Sequence, residues 1–404
     1  MTQPPALADF LQRLGARRAR VAVIGLGYVG LAIGLQARRV GLAVSGLDRD
    51  AARARAASAA GVPSGTDRAV LEGSDAFLVC VPSGAGADGR PDLSAVIDAA
   101  RALGPALRPG ALVVLESTVF PGATRAVLLP ELLAAARAAG RELRPGADLF
   151  VAHAPERVDP GRSDPPPERI PRLVGGLDEP SLDAAAALYG LLFERVVRCS
   201  SAEVAEAAKV LENIFRSVNI ALANEIEMIL TPLSVPVQEV LDAAATKPFG
   251  FLAFRPGAGV GGHCVPAAPS FLLEAARRAG APAPLTQAAA EVNRHKPAWL
   301  VQRARLAVAA RRAAAGRPAP PGSDPLRGAR VLVVGVAYKP GVAETHGSPG
   351  LVLLQLLAAA GAQVAYHDPL VPRVPDSRPE GVPELESVPI ETAAEYDAVV
   401  RAWG

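Results

Sequence analysis

Cysteine, methionine and aromatic residues are scarce in this chain: its 404 residues include three cysteines, two methionines and 4% Phe, Trp and Tyr. Cys80, Cys199 and Cys264 lie far apart with no C-x-x-C spacing, so neither a disulfide framework nor a zinc site is indicated, and no metal is expected. A charge excess is missing too. Lys+Arg 42 against Asp+Glu 40 leaves a formal +2 with no long basic block, which argues against nucleic acid or a membrane surface as partner. No run reaches the about 18 apolar residues of a membrane span. The N-terminus MTQPPALADF has neither the basic start nor the apolar core of a leader, so a cytoplasmic location is the expectation. The length suffices for two or three domains, each with its own core.

What is present alternates between strand and helix. RARVAVIGLGYVGLAIGLQARRVGLAVSGLD, residues 18–48, reads as a buried parallel strand, a glycine turn, a helix and a second strand. DAFLVCVPS, DLSAVIDAARAL, ALVVLESTVFPG, RAVLLPELLAAARA and DLFVAHAPE continue the alternation, which predicts a doubly wound α/β domain to about residue 200. Cys80 and Cys199 sit in the apolar runs FLVCVP and RVVRCSS and read as small buried residues. From Ser200 to Leu230 there is neither Pro nor Gly, and Ser200 with Glu203 has capping-box spacing, which predicts one long helix. A second helix is expected over about 284–312. RPAPPGSDP, 317–325, is a Pro-rich linker. Beyond it RVLVVGVAYKPGVAETHGSPGLVLLQLLAAAGAQVAYHDPLVP restates strand, loop, helix and strand in a smaller α/β domain whose last strand is YDAVV.

Gly25, Gly27 and Gly30 form G-x-G-x-x-G between strand and helix, with Asp48 closing the next strand. The glycines permit a tight turn and close approach to a pyrophosphate, and the acid accepts from ribose hydroxyls while repelling a ribose phosphate, which favours NAD over NADP. On the long helix Lys209, Glu212, Asn213 and Arg216 make a polar stripe beside an apolar one of Leu211, Phe215, Val218 and Leu222. That stripe reads either as a solvated face or as an ammonium and an amide aimed at one oxyanion. Cys264 follows four glycines in PGAGVGGHC; it is either a small buried residue near a turn or a thiol set to attack an aldehyde beside a dinucleotide domain.

VIGLGYVG, ESTVFPGAT, APERVDPG, AKVLENIFRSVNIALANE, TKPFGF, PGAGVGGHC and the C-terminal GVAYK with SPG occur in this order over nearly the whole chain. In these stretches it resembles the UDP-glucose/GDP-mannose dehydrogenase family of nucleotide-sugar 6-dehydrogenases, most of all the branch acting on UDP-N-acetylglucosamine. The resemblance implies a Rossmann NAD domain over residues 1–200, a central helical section with the Cys loop over 201–316 that forms a homodimer, and, past the linker, a smaller Rossmann-like UDP-binding domain over 326–404, truncated after YDAVV. It implies oxidation of a C6 alcohol to a carboxylate with two NAD+, through a thiohemiacetal and a thioester on Cys264. Lys209 and Asn213 then match the oxyanion-stabilising pair, and Thr118 and Glu156 the groups that hold water and assist proton transfer. Tyr28, Val29, Ser83 and Thr118 join Gly25, Gly27, Gly30 and Asp48 at the cofactor. Arg157, Phe254, Arg255, Gly261 and Lys339 fall to the UDP-sugar. Two positions depart from the family pattern: Ala268 stands where an aspartate is expected, and His346 where an arginine reaches a neighbouring subunit's nucleotide. They leave open a degenerate homologue that binds NAD and nucleotide sugar without full turnover, and the resemblance leaves a UDP-glucose 6-dehydrogenase as the other alternative.

Overall fold

The strands RVAVI, AFLV, ALVVL and LFVAH are apolar at nearly every position, as strands covered on both faces must be, and each is buried almost throughout. The computed structural model describes residues 3–86, 88–159, 161, 164–318, 320 and 322–403; Pro160 of APERVDPG and Ala319 and Pro321 of the linker lie outside the described residues. The chain divides into two compact units, Met1–Glu212 with Ser270–Ala281, and Asn213–Pro269 with Pro282–Gly404.

The first unit runs α1 (Pro5–Gly15), β1 (Arg20–Ile24), α2 (Tyr28–Arg39), β2 (Ala43–Leu47), α3 (Ala51–Ala59), β3 (Ser64–Gly65), β4 (Ala76–Val79), a small hairpin of β5 (Gly84–Ala85) and β6 (Pro91–Asp92), α4 (Ser94–Leu103), β7 (Ala111–Leu115), α5 (Leu129–Ala138), β8 (Leu149–His153), β9 (Arg172–Gly176), α6 (Glu179–Leu192) and β10 (Val196–Cys199). Its sheet has the order β10-β9-β8-β7-β4-β1-β2-β3. Neighbours are parallel except β8 and β9, which pair antiparallel. The strand order reverses between β1 and β4, which opens a crevice at their carboxyl ends. Phe10, Leu78, Leu112, Phe150 and Leu188 belong to the core beneath it, with Cys80 partly buried against the same cluster. Cys199 is buried as well.

α7 (Ala202–Leu230) crosses from the first unit into the second. Its cap is Ser201, whose Oγ accepts from the Val204 N–H at 3.4 Å, and not the expected Ser200, because β10 runs to Cys199 and Ser200 is spent leaving the strand. The face pattern of this helix is inverted. Leu211 is 67% exposed, with Phe215 and Leu222 also exposed, whereas Lys209 and Asn213 keep only 9% and 8% of their surface. A solvated polar face is thereby excluded for that pair, although Arg216 of the same stripe does face solvent. The second unit continues with α8 (Val237–Ala245), α9 (Cys264–Ala279, crossing back at Ser270), α10 (Pro284–Ala314), β11 (Arg330–Val334), α11 (Pro349–Ala359), β12 (Gln363–His367) and β13 (Ala398–Arg401). The parallel order β12-β11-β13 is built on a core that includes Val331, Val333, Leu353, Leu354 and Tyr366. Among the described residues no helix is long and apolar enough to cross a membrane.

Candidate active site

In the first unit the glycine turn is shaped by contacts that tolerate no side chain. Gly25 has φ +86°, and a Cβ there would lie 2.7 Å from the Cys80 carbonyl oxygen; one on Gly30 would lie 1.8 Å from the Gly25 oxygen. Gly27 is different, since a Cβ there would meet nothing within 4 Å. It caps α2 with no side-chain hydrogen bond, and Tyr28 and Val29 open the helix, so the first-turn N–H groups face open space as a pyrophosphate requires. Asp48 is buried; its Oδ2 accepts from the Leu26 N–H at 2.7 Å and its Oδ1 from the Asp50 N–H at 2.9 Å, which leaves lone pairs for ribose hydroxyls. Ser83, beyond β4, donates to the Thr118 carbonyl, beyond β7, at 2.6 Å, so these two residues meet at the carboxyl ends of adjacent strands. This donor and acceptor set fits NAD.

Glu156 follows β8. Its Oε1 accepts from the Arg157 and Val158 N–H groups at 2.6 and 2.7 Å, and its Oε2 accepts from the Arg172 guanidinium at 2.6 Å. Burial pushes its carboxyl above the ordinary value, opposed by those N–H groups and by the charges of Lys209 and Arg157. Arg157 itself is held by Glu212 at 2.6 Å and by the Pro171 carbonyl at 2.8 Å, so its guanidinium is committed to the protein. Arg172 and Tyr189, which bond Glu116 behind Glu156, carried no local sequence signal, and Glu116 showed only as the first residue of ESTVFPGAT. A five-residue strand beginning with Arg reads as an exposed edge until its partners are seen.

In the second unit Asn213 is buried, and its Nδ2 has no hydrogen-bond partner among the described residues. Further along α7, Asn224 accepts the Gly257 N–H at 2.9 Å and donates to Asn293 of α10 at 3.0 Å, which fixes the glycine loop to two helices. Phe254 meets the Phe215 ring edge-on at 5.9 Å, while Arg255 turns to Gln238 and Asp242 of α8. Side chains at Gly261 and Gly262 would run into Tyr338, with approaches of 2.9 and 3.0 Å. The Gly262 N–H donates to the His346 carbonyl at 3.0 Å, and the His263 and His346 rings stack with centroids 3.7 Å apart. Cys264 comes next, exposed at the first position of α9. Ala268 lies one turn on and is fully buried. Lys339 rests over the Tyr338 ring at 5.8 Å.

A doubly wound sheet with an open glycine turn, an uncapped helix and an acid at the second strand defines an NAD-dependent oxidoreductase. Models of the UDP-glucose/GDP-mannose dehydrogenase family match the chain as NAD-binding domain over residues 64–192, central domain over 203–295 and UDP-binding domain over 332–403. The UDP-N-acetyl-D-mannosamine dehydrogenase of Pyrococcus horikoshii is 33% identical over 92% of this chain and 89% of its own length. The UDP-N-acetyl-D-glucosamine 6-dehydrogenase of Pseudomonas aeruginosa is 31% identical over 95% and 90%. The solved structure of the Pyrococcus horikoshii UDP-D-ManNAc dehydrogenase superposes with a TM-score of 0.78 at 30% identity, over 95% of this chain and 88% of that one. The chain belongs to the UDP-glucose/GDP-mannose dehydrogenase family.

Proposed function

We propose that this protein oxidises the C6 alcohol of a UDP-N-acetylhexosamine, UDP-N-acetylglucosamine first among them, to the uronic acid with two NAD+ and one water. Gly25, Gly27, Gly30, Asp48 and Ser83 would hold NAD+, which would supply the hydride acceptor for each oxidation. The protein's own groups do the rest. The Cys264 sulfur adds to the aldehyde carbon to give a thiohemiacetal, whose oxidation leaves a thioester, and water then displaces the thiol and releases the acid. Lys209 and Asn213 stabilise the oxyanions with an ammonium and an amide. Glu156, with Thr118, holds the water and takes its proton, a task suited to a carboxyl raised by burial. The loop from Phe254 to Gly261 grips the sugar, with Arg255 and Lys339 supplying cationic side chains around the UDP-sugar, while Arg157 shapes the site through its ion pair with Glu212.

The observation that carries this reading is the setting of Cys264: an exposed thiol at the head of α9, behind a loop whose glycines are required by close contacts. It is tested by supplying NAD+ with UDP-N-acetylglucosamine, UDP-N-acetylmannosamine, UDP-glucose or UDP-galactose. Two NADH per sugar are expected from an N-acetylhexosamine substrate, with no acid product from Cys264→Ala. Ala268, which brings no carboxylate one turn after Cys264, leaves one rival, a homologue that binds without completing turnover. A burst of NADH that stalls, with a sugar adduct on Cys264 in the mass spectrum, marks slow thioester hydrolysis, and no NADH with any sugar refutes the enzyme reading.

The apolar face of α7 supports a homodimer through this helix, since Leu211, Phe215, Leu222 and Ile229 are all exposed. Leu211→Glu is expected to shift sedimentation from dimer to monomer. A parent protein that sediments as a monomer at micromolar concentration removes this element.

A further inference from the structure

Arg172 opens β9 with its side chain 2% exposed, lying over the stacked Phe193 and Tyr189 rings at 5.0 and 5.6 Å from their centroids. One terminal nitrogen donates to Glu156 Oε2 at 2.6 Å and the other to Glu116, which also accepts from the Tyr189 hydroxyl. Glu116 is as buried as Arg172, so neither can satisfy its charge from water. The Arg172 cation thus stands between two carboxylates, and Lys209 and Arg157 are further cations whose charges act on Glu156. An arginine pairing with one carboxylate would make it a stronger acid. Glu156 is instead raised by burial, a state that one unshared guanidinium would oppose.

We propose that Arg172 is a positioning residue for Glu156, and that Glu116 draws off its charge so that the guanidinium fixes the direction of the Glu156 carboxyl without locking it in the ionised form. Tyr189 and Phe193 hold the guanidinium in place, and Glu116 serves as its second anchor. The inference rests on the reading of Glu156 as the group that handles the hydrolytic water.

The proposal makes two neighbours of Glu156 act in opposite directions. In the full-length protein the carboxylic-acid carbonyl band that disappears in Glu156→Gln is followed by infrared spectroscopy against pH. Glu116→Gln removes the competing anion and is expected to lower the midpoint by about one pH unit; Arg172→Met removes the cation and is expected to raise it by about as much. Arg172→Lys keeps the charge without the two-pronged grip, so its midpoint should stay near the parent value while kcat for NADH formation with UDP-N-acetylglucosamine falls at least about tenfold. Should Arg172→Met not fold, Glu116→Gln alone decides the matter. Unmoved midpoints, shifts of the same sign, or no titrating band assignable to Glu156 overturn the proposal. The midpoint needs no turnover, so a protein silent with every UDP-sugar refutes the oxidation and not this charge arrangement. A Glu156→Gln variant with the parent's pH–rate profile would remove Glu156 from the reaction instead.

Discussion

Two strand–turn–helix–strand segments in this chain are built on one plan and put to different uses. In the first, Gly25 ends β1 and Gly30 sits in α2 against its carbonyl; in the second, Gly335 ends β11 and Gly350 sits in α11, where a Cβ would lie 2.2 Å from the Gly335 oxygen. Both second strands close on an aspartate that accepts from the turn. Asp48 takes one N–H there, from Leu26, whereas Asp368 takes two with one oxygen, from Val336 and Ala337 at 2.9 Å each, and the Leu370 N–H with the other. The glycine pair is five residues apart in the first turn and fifteen in the second. A short turn leaves a helix end open to a phosphate. The long one supplies Tyr338, His346 and Pro349, which lie against the glycines before Cys264. The same backbone device therefore leaves a helix end open in one place and braces the Cys264 loop in the other.

The largest effect expected from this comparison comes from filling the two close approaches. Gly30→Ala would set a methyl 1.8 Å from a backbone oxygen that cannot swing away, so α2 must shift. A loss of about 3 kcal/mol of stability is expected, with NADH binding weakened more than about tenfold because the helix end moves with it. Gly350→Ala is expected to cost about as much stability while leaving NADH affinity at the parent value. Thermal unfolding and a fluorescence titration of NADH measure both quantities. Equal losses of NADH affinity in the two variants would break the division of labour.

The glycine turn, the strand alternation and the long central helix were legible because each rests on local pattern: spacing, apolar runs, and the absence of Pro and Gly. The antiparallel insertion of β9 between β8 and β10 was not, since RLVGG is short and begins with an arginine that looks solvated in one dimension. Its burial depends on Glu116 and Glu156, 56 and 16 residues away. The α7 helix shows the converse limit. Its two stripes were visible, but periodicity says only that two faces differ and not which is covered; Leu211 lies outside and Asn213 inside. The Cys264 loop was legible as glycine-rich. That its glycines answer to Tyr338, more than seventy residues on, was not.

The smallest effect belongs to the long turn's hold on that loop. His346 contributes a backbone acceptor, which any residue provides, and a ring stacked on His263 at 3.7 Å, which an aliphatic side chain cannot. A ring stack is worth about 1 kcal/mol, so His346→Ala should raise the population of a loosened loop severalfold, while His346→Phe retains a flat ring and should stay close to the parent. Alkylation by iodoacetamide reads this at Cys264, because burial pushes the Cys80 thiol up to about 12 and Cys199 is buried. The expected order of rates is His346→Ala fastest by about threefold, with His346→Phe and parent alike, and NADH affinity unchanged in all three. Identical rates throughout would mean that the fifteen-residue turn does not restrain the thiol, and the second copy of the glycine plan would keep its structural role alone.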